Sequence, residues 1–575
     1  MEKFARFKNW LITNIRDNYA LLLILLLAFF LRYYGIHFDY PYGVSQIWDE
    51  SYITNSLDII QYRTLFTPIR VQTSTFLPVL YIPAVLLRLA YLAVVNGIYN
   101  VDELKTLLIH SGTGTISIVV RFCSVAFGLA STIVIYKIYQ LLFKKNIALY
   151  PSLAYAVAFV PMYLAHWGKS HISAVFFLLL AVYFAIKYEQ TKSIRNFYWC
   201  VLSAIFSFLA HYVGILALVY PVYAWLRNYK QIKWKHIGYN LLIFAALFTL
   251  FYLANLKGLK NQYANAAFFF KDTGFKGMLP VGVYERYYFV FHDTFVLEPV
   301  LFSLFGAMFL LNLKRLFKDR ALSYVTLGIV EFYLFMTFIL VGPDTSRWLL
   351  MFVSLTVTLG AALLAERLEA LNLKKYLIFI IFMALIIPNL FFDWQWLKLL
   401  NNNTRKELTT WAEQNLKKDE NIYSFDLYFD APLSYQAALF HREENGVKFS
   451  KKLDYIIDHQ SEFENKGLNI FYDIGHDRYK ELGGKNTKYF VIVYWEDTNK
   501  PGRIPNGYDR KSAQAVIDKI KEFHRIELAK KFYPTSDEAM IKKGIICYLN
   551  NPLNWYYFLK LDMGGPFVEV YEVMN

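Results

Sequence analysis

Long apolar runs separated by short polar loops repeat through the first 392 residues, and most reach or approach the roughly 18 residues that cross a bilayer. The pattern predicts about eleven spans, near 17–36, 118–141, 146–165, 172–188, 196–210, 212–226, 237–256, 292–313, 321–341, 346–366 and 374–392. The first run follows Lys3, Arg6, Lys8 and Arg16 and is succeeded by Leu31-Arg32-Tyr33-Tyr34 rather than a small-residue cleavage site, so it reads as an uncleaved span. The loops Lys187–Arg195, Arg227–Lys235, Lys314–Arg320 and Arg367–Lys375 are all basic. With the basic N-terminus they define a cytoplasmic face, which leaves 37–117, 166–171, 257–291 and 342–347 on the outer face. The apolar stretch Phe76–Val95 contains Pro78, Pro83 and Arg88, and suits a helix lying along or dipping into the outer leaflet better than a crossing one.

After Asp393 the pattern changes. Asn401-Asn402-Asn403 marks a turn, Thr404–Leu416 an amphipathic helix, Tyr489–Trp495 a strand, and Ser512–Phe523 a second helix; further strands are expected near Ile545–Leu549 and Phe567–Val573. The expected organisation is a transmembrane domain over 1–392, with an outer catalytic loop at 37–117, and an extracytoplasmic α/β domain over 393–575.

Composition sharpens this picture. The 575-residue chain is 56% hydrophobic and 19% aromatic, as a multi-pass protein with interfacial Trp and Tyr should be. Its net charge of +15 falls largely in the loops between apolar runs, where it orients spans, so nucleic acid is not an expected partner. Cys123, Cys200 and Cys547 lie far apart and form neither a disulfide framework nor a zinc spacing.

The outer segments carry the candidate chemistry. Asp49 and Glu50 stand together in Gly43–Tyr52, ahead of Ile53, Leu57 and Ile60 at helical spacing. His166, Lys169 and His171 occupy one short loop, His211 an outer turn, and Asp344 and Arg347 the outer start of a late span. Carboxylates beside cationic and titratable groups, open toward lipid, suit a substrate with both a phosphate and a lipid tail.

The outward Asp-Glu pair soon after the first span resembles the signature of the type C membrane glycosyltransferases. Arg121 in the second span, Lys144-Lys145, the short loop 166–171 and Arg347 before Trp348-Leu349-Leu350 follow in the same order. The nearest resemblance is to glycosyltransferase family 39, the protein O-mannosyltransferase and aminoarabinose transferase group. It implies sugar transfer from a polyprenyl-phosphate donor to a protein, lipid or glycan acceptor on the outer face of the plasma membrane, usually with inversion. On that reading Asp49 is the general base with Glu50 beside it, and Arg347 holds the leaving phosphate, supported by Lys169 and His211. His166, His171 and Asp344 complete the substrate-binding set. The chain departs from the family at His171, where many relatives carry Asp, and at His211-Tyr212, where many carry Lys. The first change removes a metal ligand, so no cofactor is expected and a divalent metal is disfavoured. The alternative is a transporter or flippase for a lipid-linked substrate, which binds the same groups without chemistry.

Overall fold

The computed structural model describes residues 2–38, 76–110, 114–251, 290–292, 294–295, 297–338, 349–417, 420–425, 433–443, 451–464, 467–472, 487–495, 508–537 and 559–574. The chain divides into two compact units.

The first unit holds 1–36, 49–88 and 118–394. Its helices include α1 (Glu2–Tyr33), most of α2 (Phe76–Val95), and most of α4 (Gly114–Leu142), which follows α3 (Val101–His110). Next come α5 (Leu149–Val157), α6 (Phe159–Ala165), α7 (His171–Thr191) and α8 (Ile194–Ala210). A 3-10 turn over Tyr212–Leu218 leads into α9 (Val219–Arg227) and then α10 (Trp234–Phe251). The unit is completed by α11 (Pro299–Lys318), α12 (Leu322–Phe338), α13 (Leu349–Ala370) and most of α14 (Lys375–Asn401). Among the described residues seven helices are long and apolar enough to cross a membrane, and four shorter apolar helices accompany them. The protein is therefore a multi-pass helical membrane protein. Burial ranks its helices: α13 is almost wholly enclosed and α10 almost wholly exposed, which puts α13 at the centre of the packing and α10 at its lipid-facing edge.

Three expected spans have a different build. α1 runs from Glu2, with a non-helical break at Asn18 where its apolar part begins. The segment expected as one span over 146–165 is two helices, separated by an extended Ala158 (φ −67°, ψ 129°). Pro161 explains this: in a continuous helix its ring would clash with the carbonyl of Val157, whereas in the first turn of α6 its missing N–H costs nothing. The segment 212–226 opens as a 3-10 turn rather than an α-helix. Phe76–Val95 forms a helix with the expected bounds, containing Pro83, and it is apolar enough to cross.

The second unit holds 37–48, 89–117 and 395–575. After α15 (Thr404–Asn415) it forms a sheet from β1 (Asn421–Ser424), β2 (Asn469–Tyr472), β3 (Thr487–Trp495), β4 (Tyr508–Asp509), β5 (Ile526–Phe532) and β6 (Phe567–Val573). The order is β2-β1-β3-β6-β5, with β4 pairing β3. β1, β2, β3 and β4 pair in parallel, while β6 lies antiparallel to both β3 and β5. Both faces of β3 are buried, with Tyr489, Val491 and Val493 in one cluster and Phe490, Ile492 and Tyr494 in the other. That two-sided burial accounts for its unbroken apolar run. The strand expected near 545–549 lies outside the described residues.

Candidate functional site

Chain breaks and helix ends within the first unit assemble the site. Ending α5 at Val157 frees carbonyls, and starting α6 at Phe159 frees amides; away from water both sets need partners. Arg32 of α1 meets the first, donating from Nη1 to the Ala156 carbonyl at 2.8 Å and from Nη2 to that of Tyr155 at 3.0 Å. Gly128 makes room for it: a Cβ there would stand 3.0 Å from Arg32 Cδ and Nε. Glu298 meets the second, its Oε1 accepting from Val160 N at 2.9 Å while Oε2 accepts from Asn389 Nδ2 at 2.7 Å. The Arg32 guanidinium also opposes the dipole of the helix end it faces.

α6 then runs directly into the loop 166–171. His166 caps its C-terminus, and the ring nitrogens reach two backbone carbonyls, Nδ1 to Met162 at 3.0 Å and Nε2 to Tyr34 at 2.8 Å. Only an imidazolium could donate to both. Burial nevertheless dominates and pushes His166 down to about 4, with Arg32 and Arg121 adding repulsion against the pull of the two carbonyls. A neutral His166 donates to one of the two carbonyls at a time, and either bond ties the ring to α6 or to the end of α1. Arg121, fully buried in α4, donates to the Ile36 carbonyl at 3.2 Å and so holds the same end of α1.

Lys169 is only 5% exposed and its Nζ sits 4.4 Å from the centroid of the Trp167 ring. An ammonium on an aromatic face, buried and stripped of much of its hydration, favours contact with an anion. His171 opens α7, and its ring lies against that of His211, centroids 4.4 Å apart. His211 reaches that position because α8 stops there in extended backbone (φ −155°, ψ 139°). Its Nδ1 accepts from Val213 N at 3.3 Å, which leaves Nε2 as the donor of the neutral ring. Ser207 Oγ donates to the Ala174 carbonyl at 2.8 Å and ties α8 to α7 just behind the histidine pair.

Four of the residues expected from sequence, His166, Lys169, His171 and His211, are thus buried, with His171 and His211 in ring contact. Asp49, Glu50, Asp344 and Arg347 lie outside the described residues. Among the described residues no group of three or more His, Cys, Asp or Glu could hold a metal ion. Sequence reasoning gave no role to Arg32, Glu298 or Asp393, and assigned Arg121 only a place in the order of motifs. All four are buried. Charge inside an apolar run was the available signal. Among the described residues, neither carboxylate oxygen of Asp393 has a hydrogen-bond partner.

Residues 106–253, which include this loop and His211, match the family model of the dolichyl-phosphate-mannose-protein mannosyltransferases. The match agrees with the type C glycosyltransferase resemblance drawn from the sequence. No curated protein matches the chain in sequence. Among solved structures, it is similar to the Archaeoglobus fulgidus oligosaccharyltransferase in complex with zinc and sulfate, at 11% identity over 96% of this chain and 88% of that one, with a TM-score of 0.44. ArnT from Cupriavidus metallidurans bound to undecaprenyl phosphate is similar at 11% identity over 83% and 93% of the two chains, with a TM-score of 0.43. The Archaeoglobus fulgidus oligosaccharyltransferase AglB in complex with an inhibitory peptide and a dolichol-phosphate is similar at 10% identity over 97% and 89%, with a TM-score of 0.42.

Proposed function

We propose that this protein transfers a sugar from a polyprenyl-phosphate donor to a protein, lipid or glycan acceptor on the outer face of the plasma membrane. The observation that carries the reading is a buried lysine, Lys169, in the loop between α6 and α7, inside the stretch that matches the mannosyltransferase family. In this mechanism Asp49, aided by Glu50, takes the proton of the acceptor hydroxyl as its oxygen attacks the anomeric carbon, and the lipid phosphate departs with inversion. Negative charge grows on the leaving phosphate. Lys169 and Arg347 meet that charge, and His211, through Nε2–H, supplies a neutral hydrogen bond. His166, His171 and Asp344 complete the substrate-binding wall, and the α/β domain over 393–575 is extracytoplasmic.

The test is a transfer assay on purified protein in nanodiscs with a panel of labelled polyprenyl-phosphate sugars, run beside Asp49→Asn and with chelator. Transfer by the parent and none by the variant supports the assignment. Equal transfer by both would remove Asp49 from the chemistry, and a chelator effect would require a metal.

One observation favours the transporter reading: the α5–α6 break with a buried ionisable side chain at each end, since interrupted helices mark many transport sites. Every polar end of that break reported above has a protein partner, however, which suits a fixed joint rather than a cargo site. Reconstituted protein that moves a labelled polyprenyl phosphate between leaflets without transferring its sugar would decide for transport.

A further inference from the structure

We infer that Glu298 is a positioning residue for the donor loop 166–171, a role that rests on reading this loop as the phosphate site. α6 has only seven residues, Phe159–Ala165, and connects the break at Ala158 to His166. Whatever fixes its N-terminus therefore fixes the start of the loop. The backbone of Glu298 is itself locked, its N–H donating to the Thr294 carbonyl at 2.9 Å and its carbonyl accepting from Phe302 N at 2.8 Å. Its side chain is fully buried and crosses to Val160, 138 positions away in sequence. The second carboxylate oxygen is held by Asn389 of α14. Three separate parts of the chain thus meet on one carboxylate, and the element they fix carries His166 at its far end. Arg32 fixes the other side of the break through the Tyr155 and Ala156 carbonyls, so α6 is clamped relative to both α5 and α1.

Asn389 supplies a feature that makes the idea separable from a general loss of folding. Its Oδ1 is buried without a hydrogen-bond partner among the described residues. In Glu298→Gln the new amide oxygen can still accept from Val160 N. Its NH2 can donate to Asn389 Oδ1 once the Asn389 amide turns over, so the clamp survives the substitution. In Glu298→Ala neither bond survives, and the Val160 amide and the Asn389 carboxamide are left buried and unmet.

The experiment is hydrogen exchange by mass spectrometry on the full-length protein in nanodiscs, comparing the parent, Glu298→Gln and Glu298→Ala, with undecaprenyl phosphate binding measured in parallel. The expected result is exchange faster by roughly tenfold or more in peptides covering 159–171 of the Ala variant, no change in peptides from 349–365, weakened lipid-phosphate binding, and parent-like behaviour of the Gln variant. Equal acceleration across 349–365 would reduce Glu298 to a general stabiliser and overturn the inference. So would an Ala variant with unchanged exchange in 159–171, an Ala variant that loosens the loop but binds lipid phosphate as the parent does, or a Gln variant as loose as Ala. If the parent transfers no sugar yet binds the lipid phosphate, the proposed reaction falls and these arms still decide the positioning role. If it does not bind the lipid phosphate at all, the phosphate-site reading fails and the inference with it.

Discussion

Replacing Gly214 by Ala should damage the site from behind. Gly214 lies in the 3-10 turn three residues after His211, and its N–H donates to the His211 carbonyl at 2.7 Å. A Cβ at this position would stand 2.1 Å from the carbonyl oxygen of Ser207, 2.3 Å from its carbonyl carbon and 2.6 Å from Oγ. Relief requires the turn and α8 to separate by roughly 1.4 Å, because favourable contact begins near 3.5 Å and the obstacle is backbone that no rotamer change can move. Overpacking of this kind typically costs about 1–3 kcal/mol, and a backbone obstacle puts Gly214→Ala at the upper end, about 3 kcal/mol. Two contacts at the site would stretch with it, Val213 N to His211 Nδ1 and Ser207 Oγ to the Ala174 carbonyl. Gly306 in α11 is the control, since a Cβ there meets nothing within 4 Å; Gly306→Ala should leave stability unchanged or raise it by roughly 0.5–1 kcal/mol. Thermal unfolding in detergent, followed by intrinsic fluorescence, reads both variants, and lipid-phosphate binding reads the site. If Gly214→Ala melts with the parent, the close approach of turn and helix is wrong.

Two further outcomes are expected. Lys169→Met should weaken undecaprenyl phosphate binding by roughly ten- to a hundred-fold, the scale of one charge-assisted hydrogen bond, and Lys169→Arg should recover part of it; equilibrium binding at two salt concentrations checks this, and a Met variant that binds like the parent removes Lys169 from the site. In the sheet unit, burial lowers the pKa of His441, whose Nε2 contacts the Ile470 carbonyl at 3.0 Å. The unfolded chain then binds the proton more readily than the folded one, so stability should fall as pH drops below about 6.5. His441→Gln should flatten that dependence in melts taken across the range.

Elements whose pattern is local were legible in the sequence. Phe76–Val95 and Phe567–Val573 have their expected bounds because composition alone separates them from their flanks. The break at Ala158 was hidden because the residues on both sides, Ala156 to Val160, are equally apolar, and a lone Pro161 fits either a kink or a first turn. His166, Lys169, His171 and His211 stood out as ionisable groups between apolar runs. The contact of His171 with His211 could not be read, because it depends on α8 ending in extended backbone beside α7. Arg32 looked like the tail of a span, since its partners, the carbonyls of Tyr155 and Ala156, lie more than a hundred residues away and have no side-chain identity to recognise.

The break between α5 and α6 also dictates an order of assembly. During synthesis Arg32 emerges well before α5, so the carbonyl side of the break can be satisfied as soon as that segment enters the membrane. The amide side cannot, because Glu298 is still 138 residues from the ribosomal exit when Val160 has passed it. Until α11 arrives, the nascent chain carries an unfinished joint at the start of α6, and chains truncated before residue 298 never complete it. The N-terminal half of the bundle therefore carries the Val160 amide without its Glu298 partner until the later helices are made, at a cost of roughly 1–3 kcal/mol.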